Sequence, residues 1–345
     1  MSASKADFSR NNLDCLRLIL AAIVVLFHVS ALTNLPAFSV LGAYCSPHFA
    51  VRSFFVISGF LIYRSYMRSS TLGSYYVKRA RRIYPGYSAV ILAAAATLWL
   101  VSSESPLHYF LSRGFWKYLV ANLLFLNFAA PSLPGVFTGN NLTAVDGALW
   151  TLKIEVAFYL FVPVIHYLCA RFGNRRTISA IFVLSALWKY GFEWLAFLHN
   201  AQLPTGDEGT RNIYAKLAVQ FPAQLVYFSA GILALLYFEK LRAYFPLIAV
   251  TTMAFFLSDH LFTHDNLDVF WISGIVLIFG FWVYMGDFSY RVYIVHWPIL
   301  QLLVHFGVIR WGAAAFLLLG VVLISFAAFL LWHLIEKRFL ATSPA

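Results

Sequence analysis

Arg17 and His28 stand eleven residues apart in the apolar stretch "LDCLRLILAAIVVLFH", residues 13–28. In a helix, eleven residues make three turns plus roughly 20°, so both side chains share one face, about 16 Å apart along the axis. A cation at one end of such a face can hold an anion, and an imidazole deeper in can take a proton. Taken alone, Arg17 also fits an anchor that snorkels to a membrane surface, and His28 an interhelical hydrogen bond. Ionisable groups inside a membrane are costly to keep, which favours a working role for His28.

Further positions along the chain carry chemical capacity. "SYYVKRARRIYP" sets Lys78, Arg79, Arg81 and Arg82 ahead of Pro85. Arg79 and Arg82, three apart, share a helix face, a spacing suited either to clamping phosphate oxygens or to anchoring anionic lipid. Ser58 and Gly59 in "RSFFVISGFLIYRSY" either let helices approach closely or thin a wall beside a ligand. Glu155, in "DGALWTLKIEVAFYLFVP", lies seven residues from Ala148 and so roughly 10 Å deep, a depth that matches His28. A carboxylate there can orient the imidazole and raise its basicity, while Lys153 nearby neutralises charge or snorkels outward.

"GDFSYRVYIVHWPIL" brings Asp287, Ser289, Tyr290, Tyr293 and His296, followed by Pro298, which can kink a helix. Glu336 in "HLIEKRFL" reads either as a partner of Lys337 or Arg338 or as a site residue. His260 and His264 are four apart in "SDHLFTHDNLD", with Asp259, Asp265 and Asp268 near. That spacing can bind metal, but a solvated polar loop is the simpler reading, and no metal is expected. A GxSxG elbow and a phosphate-binding glycine loop are both absent.

The elements that must position these residues follow from composition. Of 345 residues, 61% are hydrophobic and only 11% charged, with mean hydropathy +0.75; soluble proteins carry about 25% charged residues. Apolar runs recur throughout, which predicts an all-α polytopic membrane protein of about ten transmembrane helices. The expected spans are 15–35, 49–67, 85–103, 148–169, 177–198, 213–237, 245–262, 269–286, 290–308 and 312–333. A shorter run at 115–128 falls below the roughly 20 residues that a straight span needs. Counting it as a span would put Arg171, Arg175 and Arg176 outside, against the positive-inside bias; without it, both termini are cytoplasmic. Residues 115–128 are therefore expected to be re-entrant or interfacial, within an outer loop 104–147 whose Pro-, Gly- and Asn-rich second half reads as a loop or lid. The sequon Asn141-Leu142-Thr143 in it is read as a chance match.

Residues 1–12 form a short cytoplasmic start, 13–340 one transmembrane domain and 341–345 a tail, with no room for a separate soluble domain. The first apolar run is expected to stay in the mature protein, since no cleavage site follows it. Cys15, Cys45 and Cys169 are scattered and odd in number, the pattern of inert core residues. Net charge of +11 is spread over short loops, which fits membrane topology and not nucleic acid.

The stretches "LDCLRLILAAIVVLFH", "FFVISGFLI", "RARRIYP", "LWTLKIEVAFYL", "SYRVYIVHWPI" and "EKRFL", in this order, resemble the acyltransferase type 3 family of integral membrane acyltransferases, which includes bacterial O-antigen acetyltransferases. The chain departs from the family at Cys15, where glycine is usual, and at Glu155, where two adjacent carboxylates are common. The resemblance implies transfer of an acyl group, usually acetyl, from cytoplasmic acyl-CoA to a hydroxyl of a glycan or lipid-linked sugar at the bacterial inner membrane. On that basis Arg17, Arg79 and Arg82 hold the phosphates of acetyl-CoA, with Asp14 positioning Arg17. His28, oriented by Glu155, is the base or the transient acyl carrier, and Ser58, Gly59, Tyr293 and His296 support the site. A transporter or flippase lined by polar residues is the rival reading.

Overall fold

The computed structural model describes residues 12–200, 212–259, 267–281 and 289–336. Among them there is no strand, only an isolated antiparallel bridge between Ser102 and Val136. The main helices are α1 (Leu13–Thr33), α2 (Pro47–Met67), α3 (Leu72–Thr97), α4 (Arg113–Leu123), α5 (Trp150–Phe172) and α6 (Asn174–Asn200). They continue with α7 (Phe221–Leu236), α8 (Phe238–Ala243), α9 (Phe245–Ser258), α10 (Asp268–Gly280), α11 (Ser289–His305) and α12 (Ala313–Leu331).

Among the described residues, seven stretches are long and apolar enough to cross a membrane: Leu13–Thr33, Pro36–Met67, Leu72–Val101, Gly147–Phe172, Asn174–Asn200, Ile213–Leu236 and Ala313–Glu336. Helices α9 and α10 are apolar but shorter, and the spans expected there run on into residues outside the described set. Helix α11 has 17 residues and continues through Pro298. Large apolar side chains face outward along these helices: on α12, Leu318, Val321 and Phe326 are exposed while Gly320, Ile324 and Ala328 are buried. Such a surface suits hydrocarbon and not water. The protein is an all-α polytopic membrane protein.

Two elements differ from expectation in an instructive way. The third helix starts at Leu72 instead of near 85 and runs through Pro85, so the basic run 78–82 is itself helical. Residues 113–123 form α4, an amphipathic helix of 11 residues with Phe115, Tyr118, Ala121 and Asn122 buried and Trp116 and Val120 exposed. At 1.5 Å per residue it reaches about 16 Å, too short to cross.

The chain forms two compact units, one holding residues up to Leu16, Val51–Leu72 and Ile154–Met285, the other Arg17–Ala50, Gly73–Lys153 and Gly286–Ala345. In the first, α2 and α7 pack backbone to backbone. A Cβ on Gly59 would lie 2.0 Å from the Phe228 carbonyl oxygen, and one on Gly231 would lie 2.0 Å from that of Val56. Only glycine fits at either place. Phe158 stacks on Phe228 with centroids 4.1 Å apart, and Phe55 meets Phe158 edge-on. A buried charge cluster completes this unit. Asp268 is fully buried, pairs with Arg52, accepts from Tyr227 Oη at 2.5 Å and has Lys189 Nζ at 3.6 Å, which also pairs with Glu193.

Those contacts replace the solvated polar loop expected around Asp268. Asp259 is likewise buried, accepting from Trp271 Nε1 at 2.9 Å and Leu267 N at 2.8 Å. His260, His264, Asp265 and Asp287 lie outside the described residues. Among the described residues, no group of three His, Cys, Asp or Glu is placed to hold a metal ion. Cys169 is buried, and Cys15 and Cys45 are half-buried free thiols.

The second unit holds α1, α3, α4, α11 and α12 together with the segment 102–149. Tyr87 Oη donates to the Asn122 carbonyl at 2.6 Å, tying α3 to the end of α4. Asn122 Nδ2 donates in turn to Tyr118 O and Ala130 O, both at 2.9 Å.

Candidate active site

His28 lies in the C-terminal half of α1, half-buried, and meets α11 of the same unit. Its Nδ1 is 2.7 Å from His296 Nε2, with the two rings parallel to within 3° and their centroids 5.0 Å apart. His296 is fully buried, and its Nδ1 lies 2.6 Å from the Tyr293 carbonyl oxygen. A carbonyl oxygen only accepts, so Nδ1 of His296 carries that ring's proton and Nε2 offers a lone pair. His28 Nδ1 then donates to it. The remaining nitrogen of a neutral His28, Nε2, is left unprotonated, as a base or nucleophile requires.

Trp297 presses on the other side of His28, edge-on with centroids 4.5 Å apart. Its indole N–H donates to Ala144 O at 3.2 Å, and the close approach of Gly147, where a Cβ would lie 2.6 Å from the Trp297 ring, lets the loop pass over it. One turn further along α11, Gln301 is fully buried and donates to Leu142 O at 2.7 Å and Ala144 O at 2.9 Å, while accepting from Asn140 Nδ2 at 2.6 Å. One turn earlier, Tyr293 Oη donates to Ala148 O at 3.1 Å and meets Thr151 Oγ1 at 2.6 Å. Residues 293, 297 and 301 recur every four, so one face of α11 satisfies successive carbonyls of the strap 140–148. Asn141 of the sequon donates to Leu32 O at 3.3 Å, fastening the strap to the end of α1 as well.

At the other end of the unit stand Arg17, Arg79 and Arg82, all half-buried. Tyr290 Oη donates to Ile83 O at 2.8 Å, which sets the start of α11 beside Arg82. From Tyr290 to His296 is six residues, about 9 Å along α11. Helix α1 gives about 16 Å between Arg17 and His28. Both paths put cations at one end and the imidazole pair 9–16 Å or so deeper.

Glu336 closes this end. It pairs with Arg291 at 2.9 Å, both nearly buried, and the Arg291 guanidinium lies 4.0 Å from the Trp332 ring centroid. The expected partners Lys337 and Arg338 lie outside the described residues. A Cβ on Gly86 would meet Glu336 Oε1 at 2.7 Å, so α3 packs directly on the carboxylate.

The remaining expected site residues belong to the first unit. Gly59 touches the Phe228 backbone, which is the packing reading of Ser58-Gly59, and Ser58 and Asp14 are half-buried. Glu155 is half-buried, with Oε1 accepting from Tyr159 Oη at 2.6 Å. It lies one helical turn beyond Thr151 on the same face of α5. The structure therefore gathers His28, His296 and Tyr293 through side-chain and backbone contacts, and its Tyr290–Ile83 bond sets the segment that carries Arg82 about 9 Å along α11 from His296. Trp297, Gln301 and Arg291 escaped the sequence reading. They share a helix with His296 but not its face, and no spacing within that helix marks them.

A family model described as an acyltransferase domain matches residues 10–333. The chain is similar to a protein named O-acetyl transferase of Shigella phage Sf6, 26% identical with 96% of this chain and 97% of the relative covered. It is also similar to Nodulation protein 10 of Rhizobium leguminosarum bv. viciae, 27% identical over 95% of this chain and 92% of the relative. No solved structure matches. With a family match over nearly its whole length, the chain belongs to the acyltransferase type 3 family and is a membrane O-acyltransferase.

Proposed function

We propose that this enzyme transfers an acetyl group from cytoplasmic acetyl-CoA to a hydroxyl of a glycan or lipid-linked sugar at the bacterial inner membrane. The observation that carries the reading is the chain Tyr293 O, His296, His28, which leaves His28 Nε2 free of a proton on the helix face that holds Arg17 three turns away. CoA has phosphates at one end and a thioester on a flexible arm. It suits a site with Arg17, Arg79 and Arg82 at one end and an imidazole deeper in. The positive-inside bias sets the arginine end in the cytoplasm and the strap 140–148 on the outer side, where an acceptor would enter.

In this reading His28 Nε2 removes the acceptor's hydroxyl proton as that oxygen attacks the thioester carbonyl. The carbon–sulfur bond breaks, the acetyl group passes to oxygen, and the thiolate of CoA takes the proton from the imidazolium. An acyl-histidine route uses the same nitrogen as nucleophile. His296 fixes the ring.

The test is binding of acetyl-CoA to detergent-solubilised protein, followed as a rise in thermal unfolding temperature. Wild type is expected to be stabilised, Arg79→Gln and Arg82→Gln much less so, and His28→Ala as much as wild type. Equal stabilisation of all four proteins would contradict the assignment of the arginines.

A further inference from the structure

In the first unit, α6, α7, α9 and α10 enclose a cavity of about 490 Å³ that serves none of the steps above. Its walls include Phe182 and Val183 from α6, Leu233 from α7, Thr251 from α9, and Phe270 and Leu277 from α10. The few hydroxyls in it are partly spoken for: Thr251 Oγ1 already donates to Leu247 O at 3.0 Å. Around it, Val183, Leu247, Val250, Met253 and Phe270 are exposed, so the groove opens onto an apolar outer surface. In a membrane, that surface faces hydrocarbon chains.

Charge is confined to one end. Ser185 Oγ donates to Pro222 O at 2.6 Å and Ala223 O at 3.2 Å, and Trp188 Nε1 to Leu217 O at 3.1 Å, so the chain leading into α7 runs antiparallel to α6. Thirteen residues along α7 from Ala223 reach its end at Leu236, and eleven back along α6 from Ser185 reach its start at Asn174. Arg175 and Arg176 therefore lie level with the turn into α8, where Lys240 and Arg242 flank the groove-lining Leu241. All four cations are exposed, and Glu239 is the one carboxylate among them. From this end the groove runs along α9 from Ile248 to Phe255, about 10 Å.

We propose that this groove is a binding site for one anionic phospholipid, its hydrocarbon chain between α6, α7, α9 and α10 and its phosphate on Lys240, Arg242, Arg175 and Arg176. An apolar slot takes hydrocarbon by area burial, and basic residues at one mouth select a negative headgroup.

Protein depleted of lipid in mild detergent is offered equimolar phosphatidylglycerol and phosphatidylcholine with identical chains, and retained lipid is counted by native mass spectrometry. Wild type is expected to keep one phosphatidylglycerol in preference to phosphatidylcholine by about tenfold or more, the size of effect that two surface cations give near a membrane. The double variant Lys240→Gln, Arg242→Gln, which keeps Arg175 and Arg176, is expected to cut that preference severalfold. Because those side chains are exposed, its thermal unfolding should match wild type, which keeps this arm valid on its own. Val183→Trp with Thr251→Trp is expected to lose both lipids. Equal retention of the two lipids by wild type, an unchanged preference in the lysine–arginine variant, or full retention by the groove-filling variant would each overturn the proposal.

Discussion

His28 Nδ1 and His296 Nε2 are 2.7 Å apart, and that one hydrogen bond decides which nitrogen of His28 is available. The sequence points to a carboxylate, Glu155, as the group that orients the imidazole. The structure supplies a second imidazole, itself fixed by a backbone carbonyl that has no proton to give. A neutral acceptor holds the tautomer without placing a buried negative charge beside the ring, a costly arrangement in a membrane.

His296 is thus a positioning residue, and its loss should act on turnover. His296→Leu removes the acceptor and is expected to lower kcat by about 10²–10⁴-fold, the range that a misplaced general base costs. The KM for acetyl-CoA should move less than about threefold, because the arginines are untouched. His296→Gln, whose amide oxygen can accept from His28 Nδ1, should recover part of the loss. Steady-state kinetics in proteoliposomes check this; equal falls for Leu and Gln, or a change confined to KM, would go against it.

Gln301 holds the strap through two donated bonds and one accepted bond. In Gln301→Leu the carbonyls of Leu142 and Ala144 lose that donor. Each buried polar group left unsatisfied costs about 1–3 kcal/mol. Amide exchange within 140–146 should accelerate by about tenfold or more, with the helices of the first unit unaffected. Hydrogen exchange with mass spectrometry reads this, and unchanged exchange in the strap would show that Trp297 and Tyr293 hold it without Gln301.

Asp146 makes the strap sensitive to pH. It is buried, its Oδ1 accepts from Ala148 N at 2.9 Å, and its Oδ2 has no hydrogen-bond partner in the structure. Burial holds its carboxyl well above the ordinary value, against the smaller opposite pull of the Ala148 N–H. Folding thus raises this pKa. The stability it contributes is fully present below the unfolded value of 3.8 and is lost as pH rises from there through the folded value. The unfolding temperature of wild type should therefore fall more steeply with rising pH than that of Asp146→Asn, which keeps the capping oxygen but cannot ionise. Thermal unfolding followed across a pH series compares the slopes, and parallel slopes would exclude Asp146 as the cause.

Which parts of this were readable beforehand follows from the range of the interactions. Arg17 and His28 lie on one helix, so their spacing alone gives a shared face. That residues 113–123 form a helix of only 11 residues agrees with the short apolar run there, a local property. The His28–His296 bond joins residues 268 apart in the chain, and no periodicity within either helix reports it. Asp268 looks like part of a polar loop because its neighbours in sequence are polar. It is buried because Arg52, Lys189 and Tyr227 reach it from three other helices. The Arg291–Glu336 pair, 45 residues apart in the chain, is hidden from local spacing for the same reason.

The central claim is that His28 Nε2 does the chemistry while the arginines only bind. Transfer of radiolabelled acetyl from acetyl-CoA into cell-envelope glycan by proteoliposomes tests it directly, comparing wild type with His28→Ala. The account predicts a fall of about 10³-fold or more in transfer, with acetyl-CoA stabilising both proteins equally against heat. Transfer by His28→Ala within about tenfold of wild type would contradict it, because a general base or nucleophile contributes more than that.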